Sequence, residues 1–289
     1  MQTRTDLAIE NTEKEAGLSG IVKEELKAGD MKITRIEITN PQTAEIIKKP
    51  VGKYITVECK PLTDNFRDLR EEVEIISREI NNFLPSEREV LVAGLGNTEI
   101  TPDALGAKSM KYILATRHIK GEFARSAGLD NLRSVSVIST GVLGQTGIEV
   151  SEIIKSLSES LKPSAVIVVD ALAARELSRL GCTVQISNTG IYPGSGVGNH
   201  RKGITNENIG VPVIAVGVPT VVNAVTLAED ILNRHELEEK DVSPRGESMI
   251  VTPREIDLLI ERAAKLVGMS INCALQREYD FDTLLSLVS

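Results

Sequence analysis

The chain has 289 residues and a formal net charge of −8. That balance speaks against a nucleic-acid partner held by a basic face, since phosphate contacts need clustered Lys and Arg. Apolar residues make up 41% but aromatics only 3%, with no Trp; a core must then be built from Val, Ile, Leu and Ala, which suits a sheet covered by helices.

In chain order, residues 1–30 are polar and read as a mobile arm. Met31 to Thr39 alternates apolar and polar residues, and Val51 to Cys59 does so similarly. This is the period of half-buried strands, and the two runs predict an antiparallel pair. Phe66 to Phe83 carries helical spacing. Short apolar runs then predict strands at Val90–Ala93, Val135–Ser139, Ala165–Val169, Thr183–Ile186 and Val213–Val216. Helices are expected between them at about 105–117, 147–161, 171–180 and 220–233. This βαβα order predicts an α/β fold with a mainly parallel sheet flanked by helices. Thr252-Pro253-Arg254-Glu255 reads as a capping box opening a helix that runs to about Leu275. No long linker appears, so the reading is one α/β domain with a small N-terminal β elaboration within 7–62.

Cys59, Cys182 and Cys273 are scattered and lack C-x-x-C spacing. They predict neither a disulfide framework nor a zinc site and fit a reducing compartment. The first residues lack an apolar signal segment, and no run of 18 apolar residues exists. A cytoplasmic protein with no membrane partner is expected.

Ligands of parallel α/β sheets bind beyond the carboxyl ends of strands. The residues after each apolar run are therefore the candidates. They include Gly94, Asn97 and Asp103 after the first run; Gly141 and Gly144 after the second; Asp170 after the third; and Asn188, Thr189, Gly190, Gly194, Ser195 and Gly196 after the fourth. All four groups are expected on one edge. Asp170 and Asp103 each open an Asp-Ala-Leu tripeptide, and each reads equally as a helix N-cap. Brought together, two carboxylates cannot both ionise cheaply, so the pair would hold a proton. One member could activate water while the other polarises a carbonyl or protonates a leaving amine. The glycine-rich stretch 190–198 could cradle phosphate, or be a tight loop needing positive φ. His118, His200 and His235 show no zinc-peptidase spacing, so no metal and no cofactor is expected.

Several segments resemble the germination protease family. They are Arg4-Thr5-Asp6-Leu7-Ala8-Ile9-Glu10, Gly94-Leu95-Gly96-Asn97, Thr101-Pro102-Asp103-Ala104-Leu105-Gly106, Val169-Asp170-Ala171-Leu172-Ala173-Ala174-Arg175, Gln185 to Asn199, and Val251 to Asp257. The resemblance spans nearly the whole chain in order. It implies an atypical aspartic endopeptidase with Asp103 and Asp170 as its essential pair. It also implies a fold like that of the hydrogenase-maturation peptidases, small acid-soluble spore proteins as substrates, a homotetramer, and a zymogen made in the forespore. Asp6-Leu7-Ala8-Ile9-Glu10 is similar to the acidic–apolar–Ala–x–Glu pattern the family cuts. The bond between Asp6 and Leu7 is therefore the expected processing site, with 1–6 as propeptide. Two other readings remain: a metal-dependent maturation-type peptidase, and a non-catalytic phosphate- or nucleotide-binding protein.

Overall fold

The computed structural model describes residues 5–15, 17–64, 68–85, 89–126, 128–197, 201–232 and 249–288. Most of the expected propeptide, the start of the Phe66 helix, Gly198, Asn199, His200 and His235 lie outside the described residues.

The chain opens with helix α1 (Ala8–Lys14), strands β1 (Ile21–Ala28) and β2 (Met31–Ile38), helix α2 (Pro41–Ile47), strand β3 (Gly52–Glu58) and helix α3 (Arg70–Asn81). Then come β4 (Val90–Leu95), α4 (Leu105–Ser109), α5 (Gly121–Ser126), β5 (Val135–Gly141), α6 (Leu143–Thr146) and α7 (Val150–Leu161). The last part holds β6 (Ala165–Ala174), β7 (Thr183–Ser187), α8 (Asn206–Ile209), β8 (Val213–Asn223), α9 (Ala224–Leu232), β9 (Ile250–Val251), α10 (Ile256–Leu275) and α11 (Phe281–Val288).

Among the described residues the strands join one sheet, in the order β1-β2-β3-β7-β8-β6-β4-β5, with β9 paired to β8. β5, β4, β6 and β8 form a parallel ladder. The α/β class holds, and the expected antiparallel pair is β2 and β3. The sequence does not announce the direction of β7, which enters antiparallel to β8 and to β3. Residues following β7 therefore leave at the opposite edge from those following β4, β5 and β6. The expectation that all four groups share one edge is corrected at this strand.

Three further expectations change. The arm 1–30 contains β1, an edge strand whose Val22, Lys23, Glu24 and Glu25 face water and hide the apolar signal. The helix expected at 171–180 is absent: Asp170-Ala-Leu-Ala-Ala continues β6, because Gly217 to Val222 of β8 offers a ladder, and such pairing overrides the helix preference of Ala and Leu. The capping box at Thr252 does not form. Thr252 Oγ1 donates instead to the carbonyl of Thr220 at 2.9 Å, and α10 begins at Ile256 with no side-chain cap.

Alternate strand residues build two faces. Ile55, Val92, Ile167, Val169, Val184, Ile186 and Val216 pack under α3, α4 and α10. On the other face, Leu91, Val166, Val168 and Ala215 pack with Ile154 of α7. Further along that face, Ile36, Ile38, Tyr54, Leu172 and Val222 surround Leu7, Ala8 and Ile9. Burial of Leu7 and Ile9, both 0% exposed, is worth roughly 1.5–3 kcal/mol each. The Leu7–Ile9 segment is thus fastened to the sheet.

Candidate active site

β6 outruns its neighbour β4. Their pairing stops at Gly94 opposite Val169, while β8 accompanies β6 to Ala174. Asp170 is the first residue past that stop, so it is a strand residue and not a helix cap. Its side chain is buried, and one carboxylate oxygen accepts the N–H of Ala171 at 2.9 Å. Burial raises its carboxyl well above the ordinary range; the charges of Asp103 and Asp6 raise it further, against the Ala171 N–H.

Asp103 arrives by a different route. It ends a 3-10 turn, Thr101–Asp103, held by a hydrogen bond from Thr220 Oγ1 to the carbonyl of Pro102 at 2.8 Å. The turn leads into α4, which presses onto the ends of β4 and β6. A Cβ on Gly106 would lie 2.1 Å from the Val169 carbonyl oxygen, so only glycine allows that approach. Gly96, at φ +100°, passes as close to the Asp103 carbonyl. Asp103 caps no helix: its carboxylate accepts the N–H of Asn97 at 2.8 Å, and α4 has no side-chain cap. Burial raises its carboxyl as well, opposed by the Asn97 N–H. Both carboxyls are thus raised by burial, and the charge of Asp103 adds to the rise at Asp170.

A third acid reaches the same place from the start of the chain. The Asp6 N–H donates to the carbonyl of Ala173, and the Ala173 N–H donates to Asp6 Oδ2, both at 2.9 Å. Ser195 Oγ donates to Asp6 Oδ1 at 2.7 Å. The Asp6 carbonyl accepts from Lys49 Nζ at 2.8 Å and Gln185 Nε2 at 2.9 Å. Two residues on, the Ala8 N–H donates to Gln185 Oε1 at 2.7 Å. Glu10 closes the segment, its carboxylate accepting the N–H groups of Arg175 and Glu176 at 2.8 and 2.9 Å and the hydroxyl of Thr5. Arg179 lies 3.7 Å away. Burial is the largest influence on the Glu10 carboxyl and raises it, while these partners oppose.

The other candidates divide. Asn97 takes a bond from Gln145 Nε2 at 2.6 Å, which ties the 141–147 turn containing Gly141 and Gly144 to the Asp103 support. Gly94 packs against Gly106 beneath the pair. Ser195 and Gly196 meet Asp6, and a Cβ on Gly196 would come within 2.2 Å of Asp6 Oδ2. Gly194, at φ +74°, turns the chain into them. Asn188, Thr189 and Gly190 are not brought to this place. Asn188 Oδ1 accepts from the Lys53 N–H, Thr189 packs on Gly52, and Gly190 abuts the carbonyl of Ile204. They lie there because β7 runs backwards.

Sequence reasoning missed Lys49 and Gln185. A polar residue between Val184 and Ile186 in a strand, buried at 8% exposure, was the available signal for Gln185. Lys49 follows Lys48 after a surface helix and carried none. Among the described residues, no three His, Cys, Asp or Glu side chains are grouped to hold a metal ion, and no helix is long and apolar enough to cross a membrane.

Comparison with known proteins places the chain. The family model for germination protease matches residues 1–235. A germination protease of Caldanaerobacter subterraneus subsp. tengcongensis is 45% identical, covering 94% of each chain. Those of Clostridium tetani and Priestia megaterium are 38% and 34% identical, covering 100% and 95% of this chain. Among solved structures, a [NiFe] hydrogenase maturation protease from Thermococcus kodakarensis is 16% identical and covers 67% of this chain and 98% of its own, at a TM-score of 0.38, too loose a likeness to carry chemistry. The chain belongs to the germination protease family and is a peptidase.

Proposed function

We propose that this peptidase is a self-processing zymogen that begins the degradation of small acid-soluble spore proteins during germination, using Asp103 and Asp170 as a proton-sharing pair. The observation that carries the reading is the seating of its own Asp6-to-Glu10 segment. Both carboxylates of the acidic–apolar–Ala–x–Glu pattern, and the N–H groups of Asp6, Leu7 and Ala8, have partners there, and the apolar residues between are buried. A substrate segment of the same pattern would take the same places, Asp6 marking the residue before the cut bond and Leu7 the one after it.

In this mechanism the ionised member of the pair takes a proton from water, which attacks the Asp6 carbonyl carbon. The protonated member supplies the proton that the Leu7 nitrogen needs to leave. The facing carboxylates keep one proton at the pair, so acid and base are both on hand. Residues 1–6 are then the propeptide. A forespore location and a homotetramer belong to the same reading.

The test is digestion of a small acid-soluble spore protein by the enzyme produced from Leu7 onward, as wild type and as Asp103→Asn and Asp170→Asn. Both variants are expected to lose activity by at least about a thousandfold, the scale set by loss of an acid–base group together with its electrostatic partner. Wild-type cutting by either variant would remove the paired mechanism.

A further inference from the structure

We propose that Lys49 and Gln185 are catalytic residues of this peptidase: together they hold the carbonyl oxygen of the bond to be cut and carry its negative charge when water adds. The proposal rests on the reading of Asp6–Leu7 as that bond.

Two donors converge on one carbonyl, Lys49 Nζ at 2.8 Å and Gln185 Nε2 at 2.9 Å. They arrive from unrelated parts of the chain. Lys49 follows the left-handed residue Lys48 that ends α2, and Gln185 is the middle residue of β7. Gln185 stands in one row with Gly217 and Asp170, two strands away from the aspartate. Its amide is oriented by its other end, since Oε1 accepts the N–H of Ala8 and leaves Nε2 to donate. Gln185 thus grips the segment on both sides of Leu7.

Lys49 is the more telling of the two. Burial pushes its ammonium below the ordinary lysine range, while Asp6 and Glu10 pull the other way. Yet no described carboxylate lies within ion-pair distance of it, and its bonded partner is a neutral peptide oxygen. Lys49 as a whole is half-buried, and an ammonium turned toward the interior without a paired anion costs stability. The anion it suits is the one that forms only during reaction. When the water oxygen bonds to the Asp6 carbonyl carbon, the π pair moves onto the carbonyl oxygen, where both donors already point. As the pair returns, the C–N bond breaks, and the proton given up by water reaches the Leu7 nitrogen through Asp103 and Asp170. Water is the only co-reactant.

The test follows appearance of the Leu7 terminus in the full chain at mildly acidic pH, in wild type, Lys49→Met and Gln185→Glu. Lys49→Met removes the charge and keeps the stem. Gln185→Glu keeps the acceptor for Ala8 and loses the donor. Processing is expected to slow about a hundredfold in Lys49→Met, the usual cost of one such donor, and at least about tenfold in Gln185→Glu, with the thermal midpoint of Lys49→Met unchanged or raised. Rates within about threefold of wild type in folded variants overturn the proposal; if Lys49→Met does not fold, Gln185→Glu decides alone. Asp103→Asn and Asp170→Asn run in parallel separate the two claims. If they are inactive while Lys49→Met and Gln185→Glu process normally, the carbonyl clamp alone is wrong. If wild type never yields Leu7, the choice of bond fails and the clamp fails with it.

Discussion

Glu10 and Asp170 are both withdrawn from water, at 2% and 5% exposure, yet their surroundings differ in kind. Glu10 ends the seated segment among donors: two backbone N–H groups, a hydroxyl and a guanidinium. Asp170, near the other end, has one N–H from its own neighbour and faces two more acids. Burial raises both carboxyls, but only Glu10 is compensated. A compensated acid is an anchor. An acid with so few donors is harder to ionise, and the segment spans the distance between the two conditions.

The contrast can be broken first at the anchor. Glu10→Ala leaves the N–H groups of Arg175 and Glu176 without their acceptor and Arg179 without one of its carboxylates. Unmade buried bonds of this kind should weaken docking of the segment by about 2–4 kcal/mol. Limited proteolysis near residues 5–14 would report it as faster cleavage, and unchanged protection would show that the anchor is dispensable.

Arg179→Met is the next largest effect. The guanidinium bonds Glu176 and Glu13 at 3.1 and 2.9 Å and approaches Glu58, so its loss leaves a cluster of acids. A drop of about 2–3 kcal/mol is expected, read by urea melts and partly restored by lowering the pH. A similar loss at every pH would contradict the electrostatic account.

Gly196→Ala sharpens the comparison at the reactive end. The added methyl meets the Asp6 carboxylate and the Ala173 side chain, at a cost of about 1–3 kcal/mol. The global melting curve should move little while Leu7 appears more slowly. An unchanged rate would mean that the position of Asp6 does not matter to the cut.

The smallest effect is a slope. The Asp170 carboxyl is raised in the folded state, so between its unfolded value near 3.8 and its folded value the native chain binds more protons than the unfolded one. Stability therefore falls as pH rises through that window. Asp170→Asn removes this contribution and should be the more stable protein at neutral pH, the gap closing in acid. Parallel pH profiles of the two proteins would contradict a raised Asp170.

Apolar periodicity located β2 to β8, because the core needs it there. Direction and continuation were less visible. β7 is reversed by its place between β3 and β8, and β6 runs on through an Ala-Leu stretch because β8 is beside it. Both are tertiary effects that no local pattern encodes. At the site, Asp103 and Asp170 were legible as carboxylates after apolar runs, but not their settings, a 3-10 turn and a strand interior. The resemblance marked Asp6 to Glu10, but composition read that stretch as an arm. Lys49 became visible only when the Asp6 carbonyl was seen beside it.

The central claim is that the seated segment is the first substrate of the aspartate pair. Its most direct test is the mass of the N-terminus in full-length wild type, Asp103→Asn and Asp170→Asn held at mildly acidic pH. The account predicts a terminus at Leu7 in wild type and an intact start in both variants. A Leu7 terminus forming at the wild-type rate in either variant, or a wild type that keeps its first six residues, would contradict it.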